Sequence, residues 1–352
     1  MTRIVAVRGA LAPHRHTQSE ITDIVARTCL PEGADRRVLD RLHRSTQVRS
    51  RHMTLPLQQY GQLDGFGAAN DVFVDRAPGL GAKVVRDALH TAGLNAADVD
   101  LLIYTSVTGI ATPSIDARLV GRLGLRPDVK RLPLFGLGCA GGAAGLARMH
   151  DYLLGRPDDV AVLLSVELCS LTFQRDDASL ANLVATGLFG DGAAALVACG
   201  VERRGETAGP TIVDTRSRLY PDTGRVMGWD IKDSGFQVVL DPMVPDVVRR
   251  HLADDVERFL GDHGLKPKDV AAWVCHPGGP KVLHAVTEAL DLPEEALDVT
   301  WRHLADVGNL SSASVLHVLR DTLAERRPPP GAPGVLLAMG PGFACELVLL
   351  RW

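Results

Sequence analysis

The stretch "FGLGCAGGAAGLARMHDYLLG", Phe135 to Gly155, sets one cysteine, Cys139, between glycines, after an apolar run and ahead of a helix-forming one. A thiol at a helix N-terminus is favoured as thiolate by the unpaired backbone N–H groups, more so beside a histidine that can become imidazolium. Cys139 is therefore a candidate nucleophile, and its flanking glycines let backbone amides approach a thioester carbonyl as an oxyanion hole. Two further positions carry donors. His276, in "VCHPGG", ends an apolar strand and so falls on a loop at the carboxyl end of a sheet, while Asn309, in "GNLSSAS", precedes a helical run. An imidazole supplies an Nε2 donor and an amide supplies one that never titrates. Such a pair, with no carboxylate, suits stabilisation of a developing enolate better than hydrolysis of a peptide.

Taken singly, each residue has a plainer explanation: packing for the cysteine, a turn for His-Pro-Gly-Gly, a helix cap for Gly-Asn. An internal repeat joins them. "GLNAADVDLLIYTS" from Gly93 and "GLKPKDVAAWVCHP" from Gly264 share Gly-Leu, a three-residue gap, Asp-Val and an apolar strand, at an offset of 171 residues. Gly138-Cys139 and Gly308-Asn309 each precede a helix, at an offset of 170 residues. Agreement of the offsets points to duplication of one half. The halves are then related by a pseudo-twofold axis, and Cys139 and Asn309 occupy equivalent helix starts that face each other across it. The expected division is 1–205 for a half bearing the nucleophile and 206–352 for a half bearing His276 and Asn309, with the polar, Gly-rich stretch Ala198 to Thr211 as linker.

The elements that must position these residues read as α/β. Strands are predicted over Ile4–Val7, Val99–Ser106, Arg131–Leu137, Val160–Val166, Ala193–Ala198, Thr211–Asp214, Gln237–Leu240, Val270–Cys275, Gly334–Met339 and Glu346–Leu350. Helices are predicted over Gly81–Ala92, Ser114–Leu123, Ala140–Leu154, Pro245–His263, Lys281–Leu290 and Ser311–Arg326. At 352 residues and 46% hydrophobic, the chain can bury a large core. A formal charge of -4 with both signs interspersed gives no reason to expect nucleic acid or membrane as a partner. No signal peptide or spanning segment is evident, so the cytoplasm is the expected location. The six cysteines are scattered without a CxxC pair, which argues against a metal site or a disulfide framework. Free thiols are expected, with Cys169, Cys199, Cys275 and Cys345 in the core.

Five motifs in order, "GLGCAGG", "GLFGDGAAA", "HPGGPK", "GNLSSAS" and "GPGF", make the chain resemble the type III polyketide synthases, the chalcone synthase-like enzymes of the thiolase superfamily. The resemblance runs from about Arg3 to the C-terminus. It implies a five-layered αβαβα thiolase fold and a homodimer acting on coenzyme A thioesters, with no metal or other cofactor. It also implies a triad of Cys139, His276 and Asn309: Cys139 accepts the starter acyl group, and the other two stabilise the enolate formed when a malonyl thioester loses carbon dioxide. Phe189 corresponds to the family's gatekeeper phenylalanine. Cys169, Thr172, Gly228 and Ser311 match positions that shape the starter and cyclisation cavity.

The second gatekeeper of the plant enzymes falls at Val238, or at Phe236 if the pairing slips, and a valine there implies a wider cavity. Val107 and Thr172 stand where naphthalene-forming bacterial relatives tend to carry cysteines, which points away from that product. Thr112 replaces the plant residue that reaches into the partner subunit. Arg44, Arg49 and Arg51 lie where the family places cations for the phosphates of coenzyme A. The expected substrates are a fatty acyl-CoA starter and malonyl-CoA, or a methylated relative of it, giving an alkylresorcinol or alkylpyrone. Two other readings share the triad region: a ketoacyl synthase III, which usually carries His-Gln-Ala-Asn where this chain has His-Pro-Gly-Gly, and a non-catalytic scaffold homologue, which would be expected to have lost part of the constellation. Thiol protease chemistry has no further support in the chain.

Overall fold

The computed structural model describes residues 2–203 and 209–352. The expected boundary at 205/206 lies outside the described residues. The first half contains β1 (Thr2–Leu11), β2 (His14–Thr17), α1 (Gln18–Cys29), α2 (Arg36–Ser45), β3 (Ser50–Met53), α3 (Gly65–Ala92), β4 (Leu101–Thr105), α4 (Ile115–Leu123), β5 (Lys130–Leu134), α5 (Gly141–Leu154), β6 (Val160–Leu168), α6 (Leu180–Leu188) and β7 (Asp191–Gly200). The second contains β8 (Thr211–Leu219), β9 (Met227–Lys232), β10 (Gly235–Leu240), α7 (Val244–Gly261), β11 (Ala272–Cys275), α8 (Pro280–Ala289), α9 (Asp298–Val307), α10 (Ser314–Glu325), β12 (Pro333–Gly340) and β13 (Ala344–Arg351).

Strand pairing carries the duplication. The order is β11-β12-β13-β8-β1-β7-β6-β4-β5. Moving inward from the second-half edge, β11 and β12 are parallel and β12, β13 and β8 antiparallel. From the other half, β4 and β6 are parallel and β6, β7 and β1 antiparallel, with β5 added outside. The two series meet where β1 and β8 pair antiparallel through Thr2 and Arg3. β4 and β11 are thus equivalent, as the Gly93 and Gly264 repeats predict. Two small ribbons, β2 with β3 and β9 with β10, stand apart from this sheet.

Side chains alternate between the two faces of a strand, so a strand apolar at every position must be covered on both sides. Val160, Val162, Leu164 and Val166 of β6 pack in one core with α3 and α4, while Ala161 and Leu163 turn to a second core with α5 and α10. In β12, Leu336 and Ala338 enter that same central core, and Val335, Leu337 and Met339 pack in a third with α7 and α8. Helices, strands, helices, strands and helices follow in five layers, the αβαβα arrangement of the thiolase fold. Among the described residues no helix is long and apolar enough to cross a membrane.

The predicted elements are present, with instructive differences. The helix expected from Gly81 starts at Gly65 and runs through Pro78. A proline inside a helix costs about 3 kcal/mol, but Phe73, Ala77, Ala82, Val85 and Ala88 bury one face against the sheet, and burial outweighs the local cost. The strand expected to reach Leu137 stops at Leu134, because Gly136 and Gly138 take positive φ values of 87° and 49°. Four helices were not predicted: α1, α2, α6 and α9.

The central layer has a tight joint. At Gly142 in the first turn of α5, an added Cβ would collide with the backbone carbonyl of Ser312, just before α10. Alanine gains about 1 kcal/mol over glycine from helix propensity, but the obstacle here is backbone that cannot swing aside. Gly142→Ala is therefore expected to lower stability by about 1–3 kcal/mol, the usual range for overpacking, read as a lower urea midpoint. A midpoint equal to or above the wild type would show that the two helix starts do not press on each other.

Candidate active site

Cys139 sits in a single 3-10 turn, Gly138–Ala140, that feeds α5, and Ser311–Ala313 forms the equivalent turn ahead of α10. The joint described above brings these turns together. Cys139 Sγ lies 3.8 Å from Ser311 Oγ and 4.0 Å from both Asn309 Oδ1 and Asn309 Nδ2. Asn309 Oδ1 accepts a hydrogen bond from Ser311 N at 2.7 Å, an Asx turn that holds Ser311 at a φ of 48°. With its oxygen occupied, the amide has its nitrogen left to donate into the cavity.

His276 follows β11, where its backbone N–H donates to Leu337 O at 2.8 Å and fixes the loop against β12. Its ring is buried, and neither Nδ1 nor Nε2 has a partner among the described residues. The imidazole lines the cavity beside Cys139 and can donate or accept a hydrogen bond there. Cys139, His276 and Asn309 line one void of about 30 Å³ together with Phe189, Phe343 and Gly278.

Burial sets the proton balance. It pushes the Cys139 thiol up to about 12, against the lowering effect of Ser311, and pushes the His276 imidazole down to about 3. The thiolate expected from the helix terminus alone is thus opposed by enclosure, which outweighs the dipole. Neither group ionises cheaply by itself, but proton transfer from sulfur to imidazole creates two charges that compensate each other in the same cavity.

A buried carboxylate that the sequence reading missed supports this centre. Glu167, at the end of β6, accepts from Ser312 Oγ, from Thr108 Oγ1 at 2.9 Å and from Val107 N at 3.1 Å. Burial raises its pKa while these donors oppose the shift. Its signal was available as the one charged residue in the apolar run "VAVLLSVEL".

The predicted pocket positions divide. Val107, Cys169, Phe189, Gly228, Val238 and Ser311 line a second void against Cys139, of about 40 Å³. Thr172 lines neither void; its hydroxyl donates to Cys169 O at 2.8 Å. Val238 rather than Phe236 reaches the cavity, and Phe236 packs edge-on against Phe66 at 5.1 Å. Met227, Trp229 and Leu240 of the β9–β10 ribbon line the same cavity as Val238. Thr112 lies exposed in a separate surface cleft with Phe73 and Phe135.

The three arginines also separate. Arg44 and Arg49 are exposed, and Arg49 pairs with Asp306. Arg51 is wholly buried and cannot stand at a tunnel rim. It lies on β3, whose alternation turns Arg51 inward beneath α6 and the turn after α9.

A buried nucleophile flanked by an unpartnered imidazole and a fixed amide donor, at the junction of duplicated halves, defines a condensing enzyme of the thiolase fold. The chain belongs to the chalcone and stilbene synthase family, the type III polyketide synthases: the family's N-terminal domain profile matches residues 1–201 and its C-terminal domain profile residues 211–352. It is 60% identical over 352 residues to a 1,3,6,8-tetrahydroxynaphthalene synthase of Streptomyces peucetius subsp. caesius, covering 100% of this chain and 93% of the relative. It is 30% identical over 318 residues to a phloroglucinol synthase of Pseudomonas fluorescens, covering 89% of this chain and 88% of that one. The crystal structure of 1,3,6,8-tetrahydroxynaphthalene synthase from Streptomyces coelicolor A3(2), a bacterial type III polyketide synthase, superposes with a TM-score of 0.93 at 31% identity and covers 99% of both chains. The ketoacyl synthase III reading and the scaffold reading are set aside.

If the imidazole takes the thiol's proton, its removal must impede ionisation. In His276→Ala, alkylation of Cys139 by iodoacetamide at pH 7 is expected to slow by about tenfold or more, each tenfold being one unit of thiol pKa, and its rate is expected to keep rising into alkaline pH. An unchanged pH profile would remove His276 from that role.

Proposed function

We propose that this type III polyketide synthase builds its product from malonyl-CoA alone and that the product is a tetrahydroxynaphthalene. The observation that carries the reading is the 60% identity, along the whole chain, to a relative of that activity. The argument from Val107 and Thr172 against a naphthalene loses weight, since Thr172 does not line the cavity.

In this reading, Cys139 attacks the thioester carbonyl of a first malonyl-CoA, and the C–S bond to coenzyme A breaks, releasing its thiol. A second malonyl-CoA binds with its thioester oxygen toward His276 and Asn309. Its carboxylate leaves as carbon dioxide, and the electron pair of the broken C–C bond becomes the enolate, stabilised by donors already in place. The enolate carbon attacks the acyl carbon on Cys139 and expels the sulfur. Each condensation leaves the lengthened chain on coenzyme A, from which Cys139 takes it back with release of the thiol. After four extensions and loss of the starter unit's own carboxyl as a fifth carbon dioxide, one ring closure expels the coenzyme A thiol, another loses water, and the aromatic product results. A naphthalene skeleton has ten carbons, the sum of five two-carbon units. Arg44 and Arg49 remain candidates for the phosphates of coenzyme A, and a homodimer is part of the reading.

Purified protein given malonyl-CoA alone is expected to release a ten-carbon tetrahydroxylated aromatic, identified by mass, and Cys139→Ala to abolish it while slow decarboxylation through His276 and Asn309 persists. Product formed only when a long-chain acyl-CoA is added would overturn this reading in favour of alkylresorcinols or alkylpyrones.

A further inference from the structure

Arg51 is the largest fully buried side chain outside the apolar cores, and its hydrogen-bond partners are neutral. Nη1 donates to Thr186 O at 2.5 Å and to Phe189 O at 2.9 Å, and Nη2 donates to Gln18 Oε1 at 2.9 Å. Burial pushes the guanidinium down to about 9, with the nearby Asp191 opposing. A fixed cation held on main-chain carbonyls is an expensive arrangement, and what it holds is informative.

The two carbonyls belong to the last turn of α6 and to the gatekeeper itself. That segment is tied to the amide donor: Phe189 and Asn309 form an isolated parallel bridge, in which Asn309 N donates to Leu188 O at 2.9 Å and Gly190 N donates to Asn309 O at 3.0 Å. The stem of Arg51 closes the other side, since a Cβ at Gly308 would come within 3.0 Å of Arg51 Cγ and 2.6 Å of Leu188 O. Gln18 reinforces the same segment by donating from Nε2 to Gly187 O at 2.8 Å. Arg51 thus lies behind both the wall and the donor of the cavity, without touching the space where substrate reacts.

We infer that Arg51 is a positioning residue, which sets the place of Asn309 through the Phe189 segment and so governs decarboxylation of the malonyl thioester rather than binding of coenzyme A. The inference rests on the decarboxylative reading above. A guanidinium donates to two carbonyls at fixed angles, and the point charge of a lysine cannot reproduce that fork. Displacement of a catalytic group by about 1 Å can cost 10²-fold.

The test compares wild type with Arg51→Lys and Gln18→Leu, each checked for folding by circular dichroism and thermal melting. Three quantities are read with malonyl-CoA: release of carbon dioxide, acylation of Cys139 by intact mass, and KM. In Arg51→Lys, decarboxylation is expected to fall about tenfold or more, while KM stays within about twofold and Cys139 is still acylated. Gln18→Leu should show the same pattern more weakly. A raised KM with unchanged turnover would restore the coenzyme A role and overturn the inference, and so would an equal loss of acylation and decarboxylation, which marks general damage. If Arg51→Lys does not fold, Gln18→Leu decides, and unchanged decarboxylation there overturns it. A wild-type protein that released no carbon dioxide from malonyl-CoA would instead overturn the reading on which the inference rests.

Discussion

Two helix starts from different halves of the chain are pressed together with Glu167 beneath them, and the placement of the sulfur, the amide donor and the gatekeeper follows from that contact. Glu167 is supplied by the first half and takes hydrogen bonds from Ser312 of the second as well as from Thr108 and Val107 of its own. A buried carboxylate left short of donors is costly, so the turn carrying Ser312 is drawn to it. That turn also carries Ser311 and follows Asn309, and the facing turn carries Cys139. The chemistry thus stands on a polar contact buried at the joint, while the surrounding layers are held by apolar packing.

The duplication explains why one half is insufficient. Each half alone is a sheet with one face toward α5 or α10, and that face is covered only when the other half is present. The centre of the molecule is therefore shared, and the reacting groups sit where the shared helices begin. Nucleophile and amide donor are related by the pseudo-twofold axis, but only one of the two equivalent positions carries sulfur. A symmetric scaffold has been given an asymmetric pair of tasks.

Much of this was legible in the sequence. The offset of the Gly93 and Gly264 repeats foretold equivalent strands, and β4 and β11 are those strands. Cys139, His276 and Asn309 were legible because their motifs sit at repeat-equivalent or strand-end positions. Arg51 was misread because a cation in "HRSTQVRSRHM" looks like any other; whether it faces solvent or core depends on β3 pairing with β2, a long-range fact. The cavity wall likewise depends on a cross-strand partner: Trp229 pairs with Val238 across the ribbon and lines the same cavity. The α1 and α2 helices escaped because their apolar positions are few and cover only a small core of their own.

The β9–β10 ribbon, which walls the cavity with Met227, Trp229, Val238 and Leu240, pairs with no other strand among the described residues. Its side chains therefore line the cavity at Cys139 while its backbone lies outside the nine-stranded sheet. Changes of side-chain size on this ribbon are uncoupled from the strand register that holds the duplicated core and the triad. A lineage can then reshape the cavity wall, one ribbon residue at a time, without renegotiating the joint that holds Cys139 and Asn309 together.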